Sequence, residues 1–172
     1  EIIADIAGCT RRTLYRHFPD KDALVTAIFE WQALIPDFDQ IRGRMKGRSF
    51  EQKLYYFLLF GVRLIRSNKF MMEMMYGSGA YWFHRQMLDP DSVLFTTFVD
   101  INLLFWQPMI AEARDAGKID PEVSDEKLMH WYSSIYYMMI IRLKNSTKDN
   151  DFILRKFVIP SMVYGYRKSN KN

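Results

Sequence analysis

A single cysteine, Cys9, in 172 residues leaves no partner for an internal disulfide. His17, His84 and His130 share no metal-ligand spacing with it or with one another. No glycine-rich phosphate loop follows a strand-like run, and the carboxylate pairs Asp89/Asp91 and Asp149/Asp151 fall in turn-like stretches, where acids cap helices. These absences point away from catalysis, so no enzyme activity, cofactor or metal is expected. A charged-then-apolar leader is missing, as is any uninterrupted apolar run of about eighteen residues, which fits a cytoplasmic protein without a membrane partner. Only 8 glycines and 6 prolines interrupt the chain, and there are no repeats or low-complexity stretches. Nor is there a large charge imbalance. The excess of 24 Lys and Arg over 20 Asp and Glu leaves +4, which permits nucleic-acid binding without requiring it.

What is abundant is apolar surface. Hydrophobic residues make up 49% and aromatics 16%, enough for a sizeable core in one compact domain plus a small appendage. The appendage is legible at the front, in Ile3 to Lys21. Ile3, Ile6 and Ala7 suit one face of a short helix, and Gly8 follows where a left-handed residue would turn the chain. Thr10 supplies an N-cap oxygen for a second helix, Arg11 to His17, whose Leu14, with Phe18 four residues on, anchors inward. Thr10, Arg11, Arg12, Thr13, Tyr15, Arg16, His17 and the following Lys21 are then the candidate DNA-contacting residues. A short helix with an apolar anchor and a donor-rich face fits a major groove.

Ile3-Ala4, Ala7-Gly8-Cys9-Thr10, Leu14-Tyr15-Arg16-His17-Phe18 and Asp20-Lys21 resemble the helix-turn-helix signature of the TetR-type (TetR/AcrR-like) transcriptional regulators, with Cys9 where Val is usual. The family's first helix has no counterpart before Glu1, so the chain reads as part of a longer protein. The resemblance implies an all-α protein that binds double-stranded DNA at an inverted-repeat operator as a homodimer. It also implies repression relieved by a small-molecule effector. By resemblance, Tyr15, His17 and Lys21 match phosphate-contacting positions.

The rest of the chain reads as helices throughout. A third helix from Lys21 carries Leu24, Ile28, Trp31 and Ile35 at helical spacing. Pro36 and the basic stretch Arg42, Arg44, Lys46 and Arg48 mark a boundary, giving a DNA-binding unit 1–48 and an effector-binding and dimerisation unit 49–172. The four basic residues suit a solvated loop or helix end better than a nucleic-acid patch. The helix from Ser49 is apolar on nearly all sides and reads as central. A candidate effector pocket gathers Phe57, Phe60, Met71, Met74, Met75, Tyr81, Trp82, Phe98, Phe105 and Trp106, with Glu73, His84 and Asn102 as polar anchors. A solid, methionine-packed core accounts for the same residues equally well. Asp91 to Ala116 forms a long helix that Pro108 should bend. In the next helix Leu128, Trp131, Tyr132, Ile135, Met139 and Arg142 make one stripe, and Met129, Ser133, Tyr136, Ile140 and Leu143 another. Two apolar faces call for two partners: the chain's own core and a second subunit. The final helix, Asn150 to about Tyr166, places Leu154, Val158, Ser161, Met162 and Gly165 along one side. A helical adaptor that meets a protein partner and has no effector pocket is the alternative reading.

Overall fold

The computed structural model describes residues 2–34, 37–142 and 147–164, and every regular element among them is helical. The chain divides into two compact units, Glu1–Pro36 and Asp37–Asn172. The first holds α1 (Ile2–Ile6), α2 (Arg11–His17) and α3 (Lys21–Leu34). The second holds α4 (Phe38–Met45), α5 (Phe50–Ser67), α6 (Lys69–Tyr76), α7 (Ala80–Leu88), α8 (Val93–Asp115) and α9 (Asp125–Arg142). It closes with α10 (Thr147–Ile153), a π-helical turn Leu154–Val158 and α11 (Ile159–Tyr164) in continuation.

The division therefore falls at position 36, not at 48. The reason is α4, which belongs to the body: the Phe38 ring meets Phe105 edge-on at 5.3 Å, and Met45 is buried. Gly43 does not break this helix, and the chain turns instead at Gly47, whose φ of 76° is left-handed. Arg42 is bound to the body too. Pro108 lies inside α8 and has no N–H to give the carbonyl four residues back, Leu104. Arg42 Nη1 donates instead to Leu104 O and to Phe105 O, both at 3.3 Å, so α8 runs on through its proline with that carbonyl satisfied. Arg42→Ala should cost about 1 kcal/mol, and Pro108→Ala should abolish most of that cost by restoring the amide; a double-mutant cycle of urea midpoints reads the coupling directly.

Local chemistry sets the other helix ends. Ser49 and Gln52 form a reciprocal capping box on α5, and Ser92 Oγ caps α8 at Phe95 N (3.0 Å). Gly117, at φ 67°, closes α8, with Lys118 N bonded to Ala113 O and Gly117 N to Arg114 O, both at 2.9 Å. Arg114 then binds the loop, donating to Asp120 O and Val123 O (both 3.0 Å) and pairing with Asp125.

The core of the body lies between α8 and the helices around it, where Trp106, Phe105, Ile110, Leu128, Met129, Leu54 and Leu58 are buried. The hydropathy and length of α8 would allow a membrane crossing, but 56% of its apolar window is buried inside the protein. Helix α5 is less enclosed than its composition suggests: Leu54, Leu58, Val62 and Ile65 face in, while Gln52, Tyr56 and Arg63 are exposed. The two stripes expected on α9 are interior except for Trp131 and Arg142 of the first, which are exposed. Leu128, Tyr132, Ile135 and Met139 are buried, and so are Met129, Ser133, Tyr136 and Ile140; Leu143 lies outside the described residues. The open face of α9 runs from Trp131, at the edge of the first stripe, through Ser134 to Met138, at the three- and four-residue spacing of neighbours on a helix.

Candidate nucleic-acid interface and interior site

In the first unit the turn is built by adjacent residues. Gly8, at φ 63°, takes the left-handed conformation, and its N–H bonds Asp5 O (3.1 Å) while Cys9 N bonds Ala4 O (3.0 Å). Thr10, in extended backbone, caps α2 by accepting from Thr13 N at 3.1 Å, and its hydroxyl also meets the Thr13 hydroxyl at 2.9 Å. Asp20 caps α3 through Ala23 N (2.7 Å). Among the described side chains of α1, which do not include Ile3, Ala4 is buried, and Ile6 is 83% exposed, not inward as its apolar character suggests. Residues two apart on a helix point to nearly opposite sides, so an inward Ala4 turns Ile6 outward. Ala7 lies in the turn beyond the helix and is exposed as well.

This framework sorts α2 into two sides. Leu14 and Phe18 are partly covered, as is Thr13, whereas Thr10, Arg11, Arg12, Tyr15, Arg16, His17 and Lys21 are exposed. The exposed set is basic and rich in donors, and its three arginines lie within two helical turns. Among the described residues none of Arg11, Arg12 and Arg16 is tied into an ion pair within the chain, which leaves their guanidinium groups for an external acceptor. The basic stretch beyond the head is different. Arg42 serves the α8 carbonyls, Arg44 bonds Gln40, and Arg48 lies 4.2 Å over the Tyr56 ring.

In the body, four of the ten pocket candidates form one aromatic cluster. Phe57 stacks on Phe105 at 5.0 Å and meets Trp106 edge-on at 5.0 Å; Tyr136 bridges Phe57 (4.8 Å) and Phe98 (5.6 Å). Burial keeps the Tyr136 phenol protonated far above its ordinary range. Met71, Met74 and Met75 are buried on α6, and Phe60 and Trp82 are half-buried. Tyr81 is not part of any interior site, because it stands 82% exposed at the start of α7. The indole N–H groups of Trp82 and Trp106 are buried with no acceptor among the described residues.

The three polar anchors are engaged in holding the fold. His84 binds Met75 O through Nε2 at 2.9 Å and the Tyr137 hydroxyl through Nδ1. A carbonyl can only accept, so Nε2 carries the proton and Nδ1 accepts from the phenol, which ties α6 and α7 to α9. Asn102 Nδ2 donates to Phe98 O (2.9 Å) and Ser133 Oγ (3.2 Å). Glu73 is exposed and accepts from Ser78 N (3.2 Å) at the end of α6.

An open, mainly apolar groove of about 850 Å³ runs along the outer face of α9, where Leu88, Trp131 and Met138 are exposed. The sequence offered a signal for it that the two larger stripes masked: Trp131 and Met138 are seven residues apart, two full turns on one face.

Residues 1–28 match the family described as bacterial regulatory proteins, tetR family. Comparison with curated proteins and with solved structures gave no match.

Proposed function

We propose, from the match of residues 1–28 to the tetR family of bacterial regulatory proteins and from the geometry of α2, that the chain is a sequence-specific transcriptional repressor that holds an inverted-repeat operator as a homodimer. A small apolar or aromatic effector, taken up by the body, releases it. The observation that carries this reading is the exposed arginine face of α2, without an ion-pair partner among the described residues, capped at Thr10 and anchored by Leu14 and Phe18. Arg11, Arg12 and Thr13 stand at the N-terminal end, where a recognition helix enters the major groove; an Arg suits guanine O6 and N7, and the Thr methyl suits thymine. Tyr15, Arg16, His17 and Lys21 suit phosphates and fix register. The compartment is the cytoplasm, where the DNA of a bacterial regulator lies.

Arg12→Ala should weaken operator binding by about 1 to 3 kcal/mol and leave random DNA nearly untouched, whereas Lys21→Ala should weaken both and flatten the salt dependence. Fluorescence anisotropy on the two DNAs across a salt series separates these outcomes. Equal losses on operator and random DNA for Arg11→Ala and Arg12→Ala would assign both arginines to phosphates.

The effector part of the reading is supported by the two indole N–H groups that lack acceptors in an aromatic, methionine-rich interior. A lipophilic ligand bearing a carbonyl or ether oxygen would satisfy one of them while filling apolar space. Such a compound should raise the melting temperature by mass action and lower operator affinity by the factor that operator lowers its own. A thermal-shift screen repeated with operator present tests this; stabilising hits that leave operator affinity unchanged would remove the effector from the mechanism.

A further inference from the structure

A second recess in the body lies apart from both the aromatic interior and the outer face of α9. It is an open groove of about 340 Å³ between the first half of α5 and the last helices, with Ile159, Pro160 and Val163 as its apolar wall. The volume falls within the roughly 300–1,000 Å³ of small-molecule sites. Its polar rim is made by two arginines from distant parts of the chain. Arg48 lies 4.2 Å over the Tyr56 ring and Arg155 lies 4.1 Å over the Tyr55 ring, and the two tyrosines meet edge-on at 5.8 Å.

Stacking uses the flat faces of the guanidiniums and leaves their N–H edges outward, preset for bidentate bonds to an oxyanion. The Nε groups orient the two side chains: Arg48 Nε donates to Arg44 O (3.3 Å) and Arg155 Nε to Asp151 Oδ1 (2.8 Å). Tyr55 donates its hydroxyl to the same Asp151 oxygen and also lies within hydrogen-bonding reach of Arg155, so Arg155 is braced by both residues at the rim. Gln52, on the rim, turns its side-chain oxygen to Ser49 N, which leaves its amide N–H groups as further donors.

The charge balance selects the ligand. Asp151 compensates Arg155, and the rim carboxylate Glu51 is drawn toward Lys118 at 3.7 Å. Arg48 has no carboxylate partner among the described residues. One uncompensated cation, a row of N–H donors and an apolar wall together match a molecule with one negative charge and a short apolar body. We propose that this groove is a binding site for an amphipathic monocarboxylate, with its carboxylate between Arg48 and Arg155 and its hydrocarbon part along Ile159, Pro160 and Val163.

The test is isothermal titration calorimetry of the full chain with octanoate and phenylbutyrate, each against its matching alcohol, octanol or phenylbutanol. The acids should bind at least about ten-fold more tightly than the alcohols, and Arg48→Gln should lower acid affinity about ten-fold without shifting the ligand-free melting temperature. Arg155→Gln should do the same. If that variant fails to fold because Asp151 loses its partner, Arg48→Gln alone decides, since Arg48 holds only an exposed ring and a carbonyl. Acids and alcohols binding equally, no heat from either acid, or unchanged affinity in Arg48→Gln would overturn the site. The last result would place the ligand in the aromatic interior and leave the effector reading intact.

Discussion

Trp131→Glu combined with Met138→Glu is expected to convert the protein to a monomer and to lower operator affinity on the order of 10²- to 10⁴-fold, the contribution of a second tethered head. The pair is chosen by what the fold leaves uncovered. Trp131 and Met138 are 46% and 45% exposed, aligned two turns apart on α9, and border a groove continued by the exposed Leu88. A contiguous apolar strip of that kind on a helical protein calls for a partner, and a two-fold axis through it would bring the same strip from a second copy face to face. Ile135 and Tyr136, which the helical pattern alone nominates equally, would give a misleading result. Both are buried in the protomer, so a charge there would unfold the body and abolish DNA binding for the wrong reason. Sedimentation velocity and circular dichroism distinguish the cases: a folded monomer with weak operator binding supports the dimer, and a wild-type monomer at micromolar concentration removes it.

Gly61→Ala should destabilise the body by about 1 to 3 kcal/mol, although alanine is the better helix former by about 1 kcal/mol. A Cβ at position 61 would lie 1.6 Å from Tyr136 Oη and 2.3 Å from its Cζ. The phenol has little room to retreat, because its ring is held between Phe57 and Phe98. The glycine is there for close approach, since α5 and α9 meet ring-to-backbone at this point. In a Tyr136→Leu background the same Gly61→Ala change should cost far less, or turn favourable, as the obstructing atoms are gone. Urea denaturation of the four proteins of the cycle measures the coupling; additive single effects would mean that the contact does not restrain the core.

What the residues determined unaided is the head and the helix ends. Gly8, Thr10 and Asp20 act on neighbours three to five positions away, and local hydrogen bonds need no knowledge of the remaining chain. The same is true of the all-helical class, of the Ser49 and Ser92 caps, and of the Gly117 stop. Periodicity likewise established which residues of α9 share a face. It could not establish what covers each face, because two apolar stripes are equally well satisfied by one protomer's core or by two protomers. The fold enclosed both apart from Trp131 and Arg142 of the first stripe, and left the narrower Trp131–Met138 strip open.

Tertiary structure alone decided the long-range partners. Nothing near Pro108 in sequence announces that Arg42 will satisfy the carbonyl the proline leaves free, and nothing near Arg48 announces Arg155. It also reassigned His84 and Asn102 from ligand anchors to internal brackets and turned Tyr81 to solvent. A side chain's type states what bonds it can make. Which of them it does make depends on the groups that folding brings within about 3 Å, and these come from elements far apart in the chain.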